Sequence, residues 1–157
     1  MEEKQRLIAE LDKAHGSMQA ALADIDPELA LSPTWTVKQL VDHITGWDDA
    51  TIKMLHAHVT GEPLDAPEWL SIDHYNAQSV ETRRPLSYEQ TVREWKYTRA
   101  QLREMIEDMP ADKVPQTLEF LWGQSGTIAQ LVGIMAHHEA GHAAALERRK
   151  SIPPEVR

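Results

Sequence analysis

His138 and His142 stand four residues apart in a run from Leu131 to His142, and that spacing suits chemistry. On an α-helix, positions i and i+4 share a face, so two imidazoles there can bind one cation with little rearrangement. Ile128, Leu131, Met135 and Leu146 continue the same face in a three-four rhythm, which turns both histidines inward, where an imidazole needs a partner. Such a pair reads either as metal ligands or as core histidines hydrogen-bonded to backbone or a carboxylate. Catalytic zinc-type sites take three protein ligands and leave a position open. His43 supplies the third: it follows a helix start at Thr36 by seven residues and precedes Trp47 by one turn, near the inward face. His142 lies seven residues before the end of its own helix. If the two helices are antiparallel, both histidines fall roughly 10 Å from the same end, at about 1.5 Å of rise per residue. His15, His56, His58 and His74 lack this register and read as solvated, and His137 is rotated about 100° from His138.

A second pattern overlaps the first. His138-Glu139-Ala140-Gly141-His142 fits H-E-x-x-H, in which the glutamate is the general base of a metalloprotease. Proteases with this motif need a third ligand downstream, and the sequence after His142 offers no histidine and only Glu147 and Glu155 as acids. No strand edge for an extended peptide is predicted either. Glu139 is retained as a candidate catalytic residue that accepts a proton or orients a histidine. Asp48-Asp49 and Glu107-Asp108 read as exposed helix surface.

Four helices must position these groups. The first runs from about Glu2 to Asp24, with Leu7, Ile8, Leu11, Ala14, Met18 and Leu22 on one stripe, and ends before Pro27. The second opens at a capping box, Thr36 to Gln39, with Trp35 stapled against Leu40, and continues to about Val59. The third opens at Ser87 to Gln90 and stops near Pro110; the fourth opens at Thr127 to Gln130 and runs to about Arg149, ahead of Pro153-Pro154. With no alternating β-branched pattern, the fold predicted is an all-α four-helix bundle. The link between the second and third helices, residues 60–86, is too long for a tight turn and is expected to cross over, leaving those two helices parallel. It carries Trp69, Asp73, His74, Tyr75 and Asn76, which either line a pocket or form a short packing helix around Trp69 and Tyr75. Trp47, Tyr75 and Asn76 are the candidate pocket wall for a cofactor or substrate. The segment Gly123-Gln124-Ser125-Gly126 reads as a turn.

The chain has 157 residues, enough for one domain over 1–157. A formal charge of −9 argues against nucleic acid, whose phosphates reward clustered Lys and Arg. The charged start and the lack of any long apolar stretch predict a cytoplasmic protein with no membrane contact. There is no cysteine, so any thiol in the chemistry must come from outside.

The run Trp35-Thr36-Val37-Lys38-Gln39-Leu40-Val41-Asp42-His43-Ile44-Thr45-Gly46-Trp47, the Gly61-Glu62-Pro63 turn, Tyr75-Asn76 and the His138/His142 pair resemble the DinB/YfiT-like superfamily of metal-binding four-helix bundles. The first motif and Trp122-Gly123-Gln124-Ser125-Gly126-Thr127 are also similar to its ClbS/DfsB branch, which does not uniformly keep a histidine triad. The resemblance covers Trp35 to the end of the fourth helix. It implies a DinB-like bundle with two parallel middle helices and a triad at His43, His138 and His142. It further implies one divalent transition metal, zinc or nickel, in several members an external low-molecular-weight thiol, and frequent homodimers. The activities it implies are thiol-dependent transfer, isomerisation and hydrolysis of reactive small molecules. The expectation is therefore a metal-dependent hydrolase or thiol transferase acting on an electrophilic small molecule, in detoxification or self-protection. A non-enzymatic dimeric binding module is the alternative, with the metalloprotease behind it.

Overall fold

A computed structural model describes residues 2–31, 35–64, 66 and 69–152 of the protein. Helix α1 spans Glu2–Leu22, α2 Val37–Thr60, α3 Ile72–Thr82, α4 Tyr88–Glu107 and α5 Ile128–Lys150. All three predicted capping boxes form: Thr36, Ser87 and Thr127 each accept from the backbone of Gln39, Gln90 and Gln130, whose side chains reach back to the cap. These boxes satisfy amide donors that a helix start would otherwise leave orphaned. Gly61, at φ 76°, closes α2 in the left-handed conformation that only glycine adopts freely. The Pro153-Pro154 stop lies outside the described residues.

Cross-helix contacts fix the direction of each helix. Thr91 donates to Asp42 at 2.8 Å, and Arg99 donates to Asp48 eight residues further along α4, so α2 and α4 advance together. Arg99 also donates to the Leu11 carbonyl, and Lys4 to that of Glu107, so α4 runs against α1. Lys150 reaches the Ala21 carbonyl while Leu7 and Leu11 pack in one cluster with Ile128 and Leu131, so α1 and α5 are parallel. The result is an all-α four-helix bundle with two parallel middle helices, α2 and α4, as the length of the link predicts. The core forms two layers. Trp47, Met54, Leu102, Leu131 and Phe120 lie in one, and Met18, Val41, Ile44, Trp95 and Leu146 in the other.

The crossover holds α3, which starts after Trp69 and contains Tyr75. Gly46 is where α3 docks on α2: a Cβ there would lie 2.3 Å from Ser79 Oγ, and the Tyr75 hydroxyl donates to the Gly46 carbonyl at 2.6 Å. Two short antiparallel pairs depart from the strand-free expectation. Ala30–Leu31 (β1) pairs with Trp35–Thr36 (β2), and Leu118–Glu119 (β3) with Ser125–Gly126 (β4). Two-residue strands are too short to show alternation in a sequence. Both matter to the site, since β2 holds Trp35 beside the start of α2 and the β3-β4 turn presents Trp122. Among the described residues no helix is long and apolar enough to cross a membrane.

Candidate metal centre

From Leu40 to Asp48 every residue of α2 is buried, because this stretch meets α3, α4 and α5 at once. His43, 3% exposed, faces α5, where His138 and His142 are half-buried one turn apart. The His43 and His142 Nε2 atoms each lie 3.0 Å from His138 Nε2, and the ligand atoms of all three residues fall within 4.8 Å of one another. Tetrahedral zinc at about 2.0–2.1 Å from each nitrogen would space them about 3.3–3.4 Å apart. The donor set fits such an ion after small rotations. As a hydrogen-bond network it fits less well, since one nitrogen, His138 Nε2, would have to serve two neighbours with a single proton or none.

Burial, followed by mutual repulsion, pushes His43 down to about 3 and His138 to about 4; burial also lowers His142. Near neutral pH all three rings are therefore uncharged, the form a metal needs. The Trp35 ring stacks at 4.5 Å on the His43 ring and fixes its plane. Among the described residues His43 Nδ1 has no hydrogen-bond partner, unlike the usual metal histidine, whose far nitrogen donates to a carboxylate or carbonyl.

The triad forms the floor of a cavity of about 490 Å³. Its walls are Trp35, Trp47, Trp122, Ile72, Ile134 and Met135, with Asn76. Trp47 donates to Asn76 Oδ1 at 2.7 Å, so two of the predicted wall residues meet there. Tyr75 stands behind Trp47 at 4.9 Å, with its hydroxyl on the Gly46 backbone, and supports the wall without bordering the cavity. Trp35, Ile72, Trp122 and Ile134 are wall residues that sequence reasoning missed. Ile134 was within reach, because it lies one turn before His138 on α5.

Glu139 is not brought to the triad. It lies on the adjacent face of α5, rotated about 100° from His138, where it is 1% exposed and its charge opposes the lowering of the His138 and His142 pKa values. There its Oε2 accepts from Trp95 Nε1 at 3.1 Å, and its Oε1 lies 2.8 Å from Arg99 Nη1, an ion-pair contact without hydrogen-bond alignment. Asp48 takes the other side of the same guanidinium, with two contacts of 3.1 Å. Burial raises Asp48 to about 6 against the pull of Arg99. Burial also raises Glu139, but His15 and Arg99 outweigh it and hold the carboxyl below its usual value. Asp48 is thus core where an exposed residue was expected. His15, expected in solvent, is half-buried, stacked on Trp95 at 4.1 Å and 3.9 Å from Glu139, too far for a hydrogen bond. His58 is partly buried and contacts the Lys113 carbonyl at 2.8 Å.

Residues 23–147, which include all three triad histidines, match the family described as mycothiol maleylpyruvate isomerase N-terminal domain. The chain belongs to this family. With it comes membership of the DinB/YfiT-like superfamily, and similarity to the ClbS/DfsB branch is seen in the solved structures. The mycothiol-dependent maleylpyruvate isomerase superposes with a TM-score of 0.77 at 16% identity, over 91% of this chain. The chain spans only 60% of that protein's length. The colibactin self-resistance protein ClbS, solved in complex with dsDNA, gives 0.76 at 18% identity, covering 96% of each chain. The sibling lethal factor precursor DfsB gives 0.78 at 15%, covering 94% of each. At these identities the structures establish the fold alone. Among curated proteins none matches the sequence.

Proposed function

We propose that His43, His138 and His142 hold one divalent transition metal, zinc or nickel, and that the protein uses it as a hydrolase or thiol transferase. The substrate is an electrophilic small molecule, and the role is detoxification or self-protection. The observation that carries this reading is the convergence of three neutral imidazole nitrogens at the floor of a walled cavity. A metal held there supplies Lewis acidity, lowering the pKa of a water or thiol at its open position. The chain does the rest: Trp35 orients the His43 ring, the tryptophan walls thin out water, and Trp47 fixes Asn76 beside the reacting end. No fourth protein ligand adjoins the triad among the described residues, an arrangement that favours chemistry over a structural ion.

Because the chain has no cysteine, a transferred thiol is an external low-molecular-weight one, in keeping with the mycothiol dependence in the isomerase's description. Glu139 has its part in the Arg99 ion pair and is left out of the chemistry, which removes the base a protease would need. The dsDNA complex of ClbS makes a nucleic acid the second ligand to try, but a formal charge of −9 favours the small molecule. We further propose a cytoplasmic homodimer; a monomer mass by light scattering at micromolar concentration would oppose it. The test of the metal is elemental analysis of protein purified without an affinity tag. Wild type and His137→Ala should carry about one ion per chain, and His43→Ala, His138→Ala and His142→Ala almost none. A folded His43→Ala protein with stoichiometric metal would sink the site.

A further inference from the structure

The cavity over the triad has a chemical character of its own. Among the described residues that line it there is no Lys, Arg, Asp or Glu. Two nearby cations among the described residues are committed elsewhere: Lys38 to Asp42 at 2.8 Å, and Arg83 to Asp49 and Glu94. An anionic group carried away from the triad would therefore lose its water and gain no counter-charge. The walls offer instead the faces and edges of indoles. Trp47 meets Trp122 edge to face at 6.1 Å and Trp69 at 6.3 Å, an arrangement that receives flat apolar groups. At the mouth Ile72 and Ile134 remain 49% and 46% exposed, apolar surface left uncovered beside the cavity. Asn76 adds one directional feature. A tryptophan N–H can only donate, so the Asn76 atom facing Trp47 is its oxygen; the N–H₂ has two hydrogens, and with the side chain also engaging His43, one of them remains for a ligand.

We infer that this cavity selects an uncharged, planar, largely apolar molecule bearing a neutral acceptor oxygen, and that it discriminates against carboxylates held away from the triad. The inference deepens the proposed activity and rests on it only for the end of the ligand that faces the histidines. Esters, lactones and epoxides on an aromatic body meet both requirements.

The test uses chelator-treated protein, so that wall recognition is read without the metal, with a separate zinc titration of the same preparation. Calorimetric titration compares 2-naphthalenemethanol with 2-naphthoate, which have the same rings and differ in charge. The alcohol should saturate one site and bind at least tenfold more tightly than the carboxylate. Trp122→Ala should weaken the alcohol at least tenfold. Ile134→Lys, at an exposed helix position that tolerates change, should raise naphthoate affinity at least fivefold by supplying the missing cation. Equal or tighter binding of naphthoate to the wild type, no saturable binding of the alcohol, or an Ile134→Lys protein indifferent to charge would each overturn the inference. Failure of zinc to bind would remove the zinc form of the proposed activity and leave the wall preference standing on its own result.

Discussion

His43, His138 and His142 make the metal-free protein sensitive to acid in a direction that can be worked out. In the unfolded chain each ring takes a proton near 6.5, whereas in the fold His43 waits until about 3 and His138 until about 4. Below 6.5 the unfolded state therefore binds protons that the folded state does not, and stability drains away as the pH falls toward 3. Asp48 works with the opposite sign, since its folded value of about 6 lies above the ordinary 3.8 and favours the fold as the pH drops through that interval. The difference between wild type and His43→Asn isolates the histidine contribution: after chelation, the variant's melting temperature should fall less steeply between pH 6.5 and 4. A second prediction concerns Arg99, the cation shared by Asp48 and Glu139. Arg99→Met strands two buried carboxylates and should cost about 3–5 kcal/mol in urea unfolding, with much of it recovered by adding Asp48→Asn and Glu139→Gln. The histidine phase was legible in the sequence because His138 and His142 on α5 obey one helical period. Asp48 and His15 were not, because Asp48 is neutralised by a residue 51 positions away and His15 packs on Trp95 of another helix.

The helix starts were legible for a local reason: a capping box is complete within four residues, so the Thr36, Ser87 and Thr127 boxes could be read without knowing the fold. The extent of α3 was not, because its helix rests on docking to α2, with the Tyr75 hydroxyl on the Gly46 carbonyl and Ser79 against the bare Gly46 Cα. That docking is testable. In Gly46→Ala the added methyl meets Ser79 Oγ at 2.3 Å and Ser79 Cβ at 2.5 Å, so α3 must shift. A loss of about 1–3 kcal/mol is expected from this overpacking. Ser79→Gly in the same chain should return most of it. Since Asn76 rides on α3 and holds Trp47, Gly46→Ala should also weaken 2-naphthalenemethanol binding, which a purely global loss of stability would not do while the protein remains folded.

Taken whole, the bundle draws its triad histidines from α2 and α5 and its cavity wall from α2, α3, α5 and both short hairpins, so that no single segment contains the site. The long link between predicted helices announced the parallel middle pair, because two parallel helices cannot be joined by a tight turn. The hairpins that carry Trp35 and Trp122 escaped notice for want of length. Their contribution has an optical side. Of the five tryptophans, Trp35, Trp47 and Trp122 border the cavity and Trp69 leans on Trp47, while Trp95 is sealed in the core against His15 and Glu139, away from the cavity. The intrinsic emission of this protein is therefore weighted toward the cavity, while circular dichroism reports all the helices together. Heated under both, a bundle whose site is stitched from every layer should show one shared midpoint. An emission change that comes several degrees early would mean that the cavity wall melts as a unit of its own, on a scaffold still intact.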